Sequence, residues 1–292
     1  MKPVLVVVLF FLMATVGSSS ASPQAKDHSE DQSHSDTAQG VEYKIHQLLV
    51  DRQTDDDEAI STIFELDHNA VPVLITALQE RKSMTRAARI LAYIGGPEER
   101  KILLEAIKNE KDREKRLELS ALLAGALVQP LSKEEWAFLE NCVQRSKRKE
   151  NRNSVVSFSA ALALGTNGSQ AALQLLEEGG PSSANTDDDS AKEIAIAIQW
   201  IKEKSLGKKA AISGAGSDSE QIAATVLANA FYAERDSTQP SVEKTVFTKD
   251  KTRALAVVQV YHGPKNAQGY DVVLQKSEGI WKIVGIWFTW AA

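Results

Sequence analysis

Apolar residues recur in double pairs along the middle of the chain, with the spacing of one face of an α-helix. Val73-Leu74 is followed one turn later by Ala77-Leu78. The same arrangement returns at Ile102-Leu103 with Ala106-Ile107, at Phe138-Leu139 with Cys142-Val143, and more loosely at Ala172-Leu173 with Leu176. Residues four apart share a helix face, so these stripes predict a helical unit that recurs about every 29–36 residues.

A second kind of helix, rich in small residues, alternates with the striped one. Its clearest examples are Ala87-Ala88 with Leu91-Ala92, Leu119 with residues 121–124, and residues 160–164. Helix breakers separate the segments at residues 95–97, Pro130, residues 165–168 and residues 179–181. The pattern therefore predicts helix pairs from residue 58 to residue 204, inside a helical domain that spans residues 41–206.

These loosely periodic pairs, with glycine-rich joints after the small-residue helices, resemble the HEAT-like repeats of α-solenoids over about residues 58–204. The resemblance implies an extended surface for proteins or peptides and carries over no catalytic residues. A compact helical bundle without solenoid geometry is the structural alternative. A short helix containing Ile45, Leu48 and Leu49 would cover the first end of the stack, and residues 191–201 would form the last helix.

Two acidic runs precede helices, at Thr54–Glu58 and at Thr186–Asp189. Neither has the alternating acids and glycine of a calcium-binding loop. Because acidic side chains accept hydrogen bonds from the first amides of a helix, we interpret both runs as N-terminal caps.

The pattern changes after a Gly/Ser/Ala-rich linker at residues 207–217. Asp218 and Ser219 are expected to cap a helix whose apolar face includes Ile222, Val226 and Phe231. Period-two alternation then predicts strands at residues 242–248, 253–262, 270–276 and 280–290. The expected fold class is an all-α helical-repeat domain followed by a small α+β domain, residues 218–292, with one helix and a four-stranded antiparallel sheet.

This order of one helix and four strands, closing on the sequence Gly-Ile-Trp-Lys-Ile-Val at residues 279–284, resembles the NTF2-like or cystatin-like group of folds. The resemblance implies a curved sheet wrapped around a helix. The additional helices of NTF2-like domains have no counterpart here, which argues against a deep pocket of the NTF2 type.

The last strand is apolar on both sides. Regular alternation places Trp281, Ile283 and Trp287 on one face, and Ile280, Val284, Ile286, Phe288 and Trp290 on the other. Such a strand is expected to be covered on both faces. The helix of this domain would cover one face; the helical domain, a ligand or a second copy of the chain would cover the other. A core role is favoured, and the candidate ligand-binding or self-association face comprises Phe231, Trp281, Trp287 and Trp290.

The N-terminus has the features of a secretory signal peptide over residues 1–21. Lys2 precedes an uncharged run from Val4 to Val16, shorter than the ~20 residues of a membrane-spanning helix. Small residues predict cleavage after Ala21, with an uncleaved anchor as the alternative. The polar residues 22–40 are interpreted as a disordered tether. We therefore expect a secreted or periplasmic protein without a transmembrane segment after cleavage.

Charge and cysteine content narrow the range of partners. The formal net charge of −5 argues against a general nucleic-acid partner. The sequence also contains a local basic cluster, which comprises Arg145, Lys147, Arg148, Lys149 and Arg152. The favoured interpretation is a solvated helix end, and the alternative is a binding patch for an acidic partner. The single cysteine, Cys142, excludes an internal disulfide and is expected to be a buried, unreactive thiol.

No catalytic or metal-binding motif emerges from the sequence. The five histidines show no metal-ligand spacing, and no nucleophile elbow or phosphate-binding loop is present. Asn167-Gly168-Ser169 matches a glycosylation sequon, but the same residues are also common in ordinary turns. We therefore expect a non-catalytic scaffold that holds a protein or peptide partner, without a cofactor. Ligand binding or dimerisation through the C-terminal sheet is the main alternative, and an enzyme with an unmarked carboxylate site is the third.

Overall fold

The fold was established from a computed structural model. It describes residues 38–51, 54–128, 130–144, 155–180, 189–205, 216–229, 239–263 and 266–291. The proposed signal peptide, most of the tether and linker, the basic cluster and Phe231 lie outside the described residues. The first helix begins at Ala38, slightly before the expected end of the tether.

The first helices are α1 (Ala38–Val50), α2 (Asp56–Leu66), α3 (Val71–Ala77), α4 (Met84–Ile94), α5 (Pro97–Asn109) and α6 (Arg113–Ala126), with a 3-10 turn at Asp67–Ala70. The next are α7 (Lys133–Gln144), α8 (Val155–Asn167), α9 (Gln170–Gly179), α10 (Asp189–Ser205) and α11 (Asp218–Asn229). The strands are β1 (Gln239–Phe247), β2 (Arg253–Gly263), β3 (Asn266–Ser277) and β4 (Ile280–Ala291). In the described part of the chain, every helix is too short or too polar for a membrane-spanning segment.

The helices before α11 pack in two rows. In the first row α2, α4, α6, α8 and α10 contact one another in sequence, and α3, α5, α7 and α9 pack against that row. The small residues predicted for the first row are buried, among them Ala87, Ala124 and Ala160. Alanine lets neighbouring helices approach closely, so this composition explains the dense contact between α6 and α8. The expected helical region followed by a small sheet is confirmed.

Local capping chemistry sets several helix ends. Asp55 accepts a hydrogen bond from the Asp57 amide and caps α2, as expected from the acidic run. The start of α11 differs from the prediction. Ser217 and Glu220 bond each other's backbone amides there, in a reciprocal cap. Asp218 turns instead to the sheet, where it accepts hydrogen bonds from Lys276 at 2.6 Å and from the Trp281 indole at 3.1 Å.

The four strands form an antiparallel meander in the order β1-β2-β3-β4. The positions predicted from period-two alternation are confirmed to within a few residues at each end. One face of the sheet packs against α11 through Ile222 and Val226, and the opposite face packs against α2, α6 and other helices of the first row. The buried side chains of the helical region and the sheet form one continuous cluster.

A β-bulge in β4 overturns the predicted assignment of its faces. Leu274 pairs with Ile283 and Val273 pairs with Gly285, which leaves Val284 as an extra residue. An extra residue reverses the alternation beyond it. Trp281 therefore faces α11, whereas Trp287 faces the first row of helices. The prediction that these two tryptophans share one face is wrong, because regular alternation cannot anticipate a bulge.

The contact between α6 and β4 is unusually close. A side chain at Gly125 would meet the Ile286 carbonyl oxygen and the Trp287 ring at 2.5 Å, so the absence of a Cβ atom permits the approach. The Trp287 indole donates to the Leu122 carbonyl at 2.8 Å, and its ring centroid lies 4.4 Å from that of Tyr93. Trp287 thus anchors the sheet on α4 and α6.

We expect Trp287→Ala to lower the free energy of unfolding by about 3–5 kcal/mol, because it removes a large buried ring and leaves a cavity. Ile280→Ala on the same strand is the matched control. Ile280 is 56% exposed, so its truncation is expected to change stability by only about 0.5 kcal/mol. Urea unfolding of both variants measures the difference. Equal effects would show that Trp287 is not an anchor.

Candidate ligand-binding cleft

A cleft of about 550 Å³ opens between the first row of helices and the end of β4. Its walls come from the end of α1, from α2, α4, α6 and α8, and from residues 287–289. The apolar lining comprises Leu49, Val50, Ile60, Ala121, Leu122, Val155, Trp287 and Phe288. The charged lining comprises Asp51, Asp56, Lys82, Arg86, Arg89 and Glu118. A mixed lining of this volume is typical of sites for organic ligands.

A buried polar network lies behind the cleft and connects α4 to β3. The Asp271 carboxylate, 7% exposed, accepts hydrogen bonds from Arg89 at 2.9 Å and from the Tyr93 hydroxyl at 2.5 Å. The Arg89 Nε also donates to the Tyr93 hydroxyl at 2.8 Å. Each of the three groups is bonded to the other two, which fixes the position of Arg89 in the cleft wall.

The surroundings of this network determine its protonation. Burial raises the pKa of Tyr93 well above its ordinary value, and the neighbouring Asp271 carboxylate raises it further. Burial lowers the pKa of Arg89, but its interactions with Tyr93 and Asp271 outweigh burial and raise it overall. Partial burial, followed by repulsion from Asp271, raises the pKa of Asp57. Tyr93 therefore remains a neutral hydrogen-bond donor, and Arg89 remains a cation.

Arg86 closes the side of the cleft next to α1. Its Nη1 donates to the Leu48 carbonyl at 2.5 Å and to the Asp51 carbonyl at 2.9 Å, and its Nη2 forms an ion pair with Asp56. A cation suits the carbonyl end of α1, where unpaired oxygens accumulate negative potential. Because Arg86 is bonded within the protein, other cations of the cleft are the candidates for contact with a ligand.

Two of those cations have unused donors among the described residues. Arg89 donates hydrogen bonds through Nε and Nη2, and its Nη1 has no hydrogen-bond partner among these residues. Lys82 likewise has no ion-pair or hydrogen-bond partner in the described part of the chain. Val50 and Val155 add apolar surface at the rim and are 38% and 61% exposed. The cleft thus combines apolar walls with donors suited to an acidic group.

The candidate aromatic residues are distributed differently from the prediction. Trp287 lines the cleft, whereas Trp281 is buried beneath α11 and contacts Phe247. Trp290 belongs to β4, but its side chain, like Phe231, lies outside what the structure describes. Self-association through the sheet stays a prediction. Trp281 and Trp287 lie on opposite faces of the sheet, so they do not form one shared surface for it.

The key charged residues of the cleft were missed from the sequence. Arg86, Arg89 and Tyr93 are three and four residues apart on α4, a spacing that places them on one helix face. This polar stripe on an otherwise buried helix was the available signal. Its partner Asp271 lies 182 residues from Arg89, so the pairing itself requires the tertiary fold.

Other candidate chemical groups are occupied or buried. Cys142 is buried, as predicted, and its carbonyl accepts a hydrogen bond from Ser157 at 2.7 Å. The Asn167 side chain donates to the Val128 carbonyl and accepts from the Ser169 amide at 3.1 Å. Among the residues that the structure describes, no group of three or more His, Cys, Asp or Glu side chains is arranged to hold a metal ion.

Comparisons with protein-family models, with curated proteins and with solved structures find no match to this chain.

The raised pKa of Tyr93 predicts a specific loss of stability at high pH. The unfolded chain releases the Tyr93 proton near the ordinary value of about 10, whereas the folded chain retains it. The stability advantage of wild type over Tyr93→Phe should therefore be complete below pH ~10, at about 1–3 kcal/mol, and should shrink as the pH rises further. Urea unfolding at neutral and alkaline pH measures it.

Tyr43→Phe is the control for this prediction, because Tyr43 is 65% exposed on α1. Because this side chain is exposed, its substitution should change stability by only about 0.5 kcal/mol in the same measurements. A wild-type advantage over Tyr93→Phe that is independent of pH would contradict the proposed protonation of the network.

Proposed function

We propose that this chain is a non-catalytic binding protein whose cleft holds an apolar peptide segment of a protein partner, with an acidic group on that segment directed to Arg89 and Lys82. The supporting observation is the composition of the cleft. Successive helices α2, α4, α6 and α8 form its walls, and their apolar side chains continue to the exposed rim residues Val50 and Val155.

The charge arrangement supports an acidic rather than a basic ligand. Arg86 and Asp56 neutralise each other in the wall. The other two lining carboxylates accept hydrogen bonds from neighbouring hydroxyls: Glu118 from Thr85 at 3.0 Å, and Asp51 from Thr54 at 2.8 Å. The Arg89 Nη1 and the Lys82 ammonium remain as unused donors among the described residues. Arginine and lysine bonds to a carboxylate are strengthened by charge, so an acidic side chain or a C-terminal carboxylate suits them.

The architecture proposed with this function is a HEAT-like array of helix pairs. This proposal is supported by the packing of α3, α5, α7 and α9 against the first row of helices. The α+β part, proposed to be NTF2-like or cystatin-like, closes one side of the cleft through β4. On the sheet face toward α11, Trp281 packs against Phe247, which supports a ligand on the opposite side of the sheet.

Binding of a small apolar acid is the second candidate function. It is favoured by the presence of an aromatic side chain, Trp287, in the same cleft as the donor Arg89. The two candidate functions differ in the size of the ligand, which is a peptide segment in the first and a small molecule in the second. The proposed location, secreted or periplasmic after cleavage following Ala21, rests on the N-terminal sequence pattern.

Selection from a random peptide library displayed on phage tests the proposal, with the chain lacking residues 1–21 as bait. We expect enrichment of peptides that combine apolar residues with Asp or Glu. Ala121→Trp should weaken binding of a selected peptide at least tenfold, because the new ring occupies the cleft. Lys101→Trp, at an exposed position on α5, is the matched control and should leave affinity unchanged. Peptides that bind Ala121→Trp as tightly as wild type would contradict the assignment.

Lys82→Glu tests the charge of the ligand. Lys82 is exposed, so the substitution should preserve stability while it reverses the charge at the rim. We expect the affinity for an acidic selected peptide to fall about tenfold in dilute salt and the difference to shrink in concentrated salt, because salt screens exposed charges. Fluorescence titration provides the affinities. Equal affinities in dilute salt would exclude a contact between Lys82 and the acidic group, and tight binding of decanoate without peptide enrichment would favour the small-ligand candidate.

A further inference from the structure

A second, smaller cavity lies between the sheet and the helices. Its volume is about 70 Å³, and Tyr93 and Trp287 line both this cavity and the cleft. The end of α4 and the start of α5 contribute residues 95–97 and Arg100, and β2 contributes Arg253. Two guanidinium side chains from different parts of the fold therefore border one small space.

Arg253 carries a buried charge that no described carboxylate contacts directly. Burial lowers the pKa of Arg253, and the carboxylates of Asp67 and Glu99, which lie beyond ion-pair distance, offset this only in part. The residue is 7% exposed, and its Nη1 donates to the Ile94 carbonyl at 2.5 Å and to the Tyr93 carbonyl at 3.4 Å. Among the described residues, no carboxylate oxygen lies within 4.0 Å of it, and its Nε and Nη2 have no hydrogen-bond partner. Burying a cation without a paired anion costs free energy, so this arrangement favours a counter-ion.

Arg100 is similarly buried and has one unused amino group. The residue is 6% exposed, its Nε donates to Glu135 at 2.6 Å, and its Nη2 donates to the Pro130 carbonyl at 2.9 Å. Nη1 has no hydrogen-bond partner in the described part of the chain. Glu99 and Asp67 are further acids near the two arginines; Glu99 accepts a hydrogen bond from the Gly96 amide at 2.7 Å, and Asp67 acts on Arg253 without a direct contact.

We propose that this cavity is a binding site for a small inorganic oxyanion of the phosphate or sulfate class, held between Arg253 and Arg100. Guanidinium groups present paired donors that match the oxygens of such an anion. The cavity volume of about 70 Å³ is roughly twice the ~30 Å³ that a water molecule occupies in the liquid, so the cavity suits a group of a few heavy atoms. The bound anion connects β2 to α5 and thereby reinforces the junction between the sheet and the helices.

Thermal unfolding with increasing sodium phosphate, at ionic strength held constant with sodium chloride, tests this site. We expect the Tm to rise by several degrees as phosphate reaches about 100 times its half-saturating concentration, because only the folded chain binds it. Above half-saturation the dependence should become logarithmic, whereas the exclusion of phosphate from protein surfaces raises Tm in proportion to concentration at molar levels. A wild-type chain without this low-concentration response would overturn the proposal.

Two variants separate binding in the cavity from effects elsewhere. Ala126→Leu fills the cavity and keeps both arginines, so the low-concentration phosphate response should disappear. Arg253→Lys keeps the positive charge but loses the paired donors, and it should raise the half-saturating concentration at least tenfold. If Ala126→Leu does not fold, Arg253→Lys decides the outcome. A variant that folds and responds as wild type does would place the anion elsewhere and refute the site.

Discussion

The contact between the sheet and the helices depends on the need to pair one buried carboxylate. Asp271 points from β3 into the helical region, where removal of water from an ionised carboxylate costs several kcal/mol unless donors replace it. Arg89 and Tyr93 supply those donors from a single helix. Because both come from successive turns of α4, the sheet can satisfy Asp271 in one position only. The strand register then places Trp287 opposite Asp271, against the Tyr93 ring.

The cleft is a consequence of the same contact. The face of α4 that bonds Asp271 also presents Arg86 and Arg89 to the cleft, and β4 brings Trp287 to its wall. Gly125 allows α6 to approach the β4 backbone, so the wall opposite α4 is formed at close range. A helical surface that would otherwise be open thereby acquires a bounded site. Tyr93 and Trp287 both join the sheet to the helices and line the cleft, so the proposed ligand binding would be linked to fold stability.

Sequence patterns predicted the positions of the helices and strands better than the contacts between them. The strands were located because alternating apolar residues have a period that no helix shares, and α2 was located by the cap at Asp55. The faces of β4 were wrong because one extra residue, Val284, reverses the alternation. Asp218 was expected to cap α11, but Lys276 and the Trp281 indole compete for its carboxylate. The local sequence pattern predicts neither the bulge nor the role of Asp218, because both depend on residues that are distant in the chain.

The site was less predictable than the fold for the same reason. Trp287 was identified as a candidate, while Arg89, Tyr93 and Asp271 were not, because a charged side chain in a helix or strand is normally solvated. The spacing of Arg86, Arg89 and Tyr93 indicates a shared face but not its partner. These residues form the network because they are buried together. Asp271 lies 182 residues from Arg89 and 178 from Tyr93, so the network depends on the tertiary fold.

A double-mutant cycle between Arg89 and Asp271 tests most directly whether this network holds the sheet on the helices. Arg89→Met, Asp271→Asn and the combined variant would be compared with wild type by urea unfolding. We expect a coupling free energy of about 1–3 kcal/mol, because each substitution removes the partner of the other residue. Additive effects, with a coupling free energy near zero, would contradict it and show that apolar packing around Trp287 positions the sheet without the ion pair.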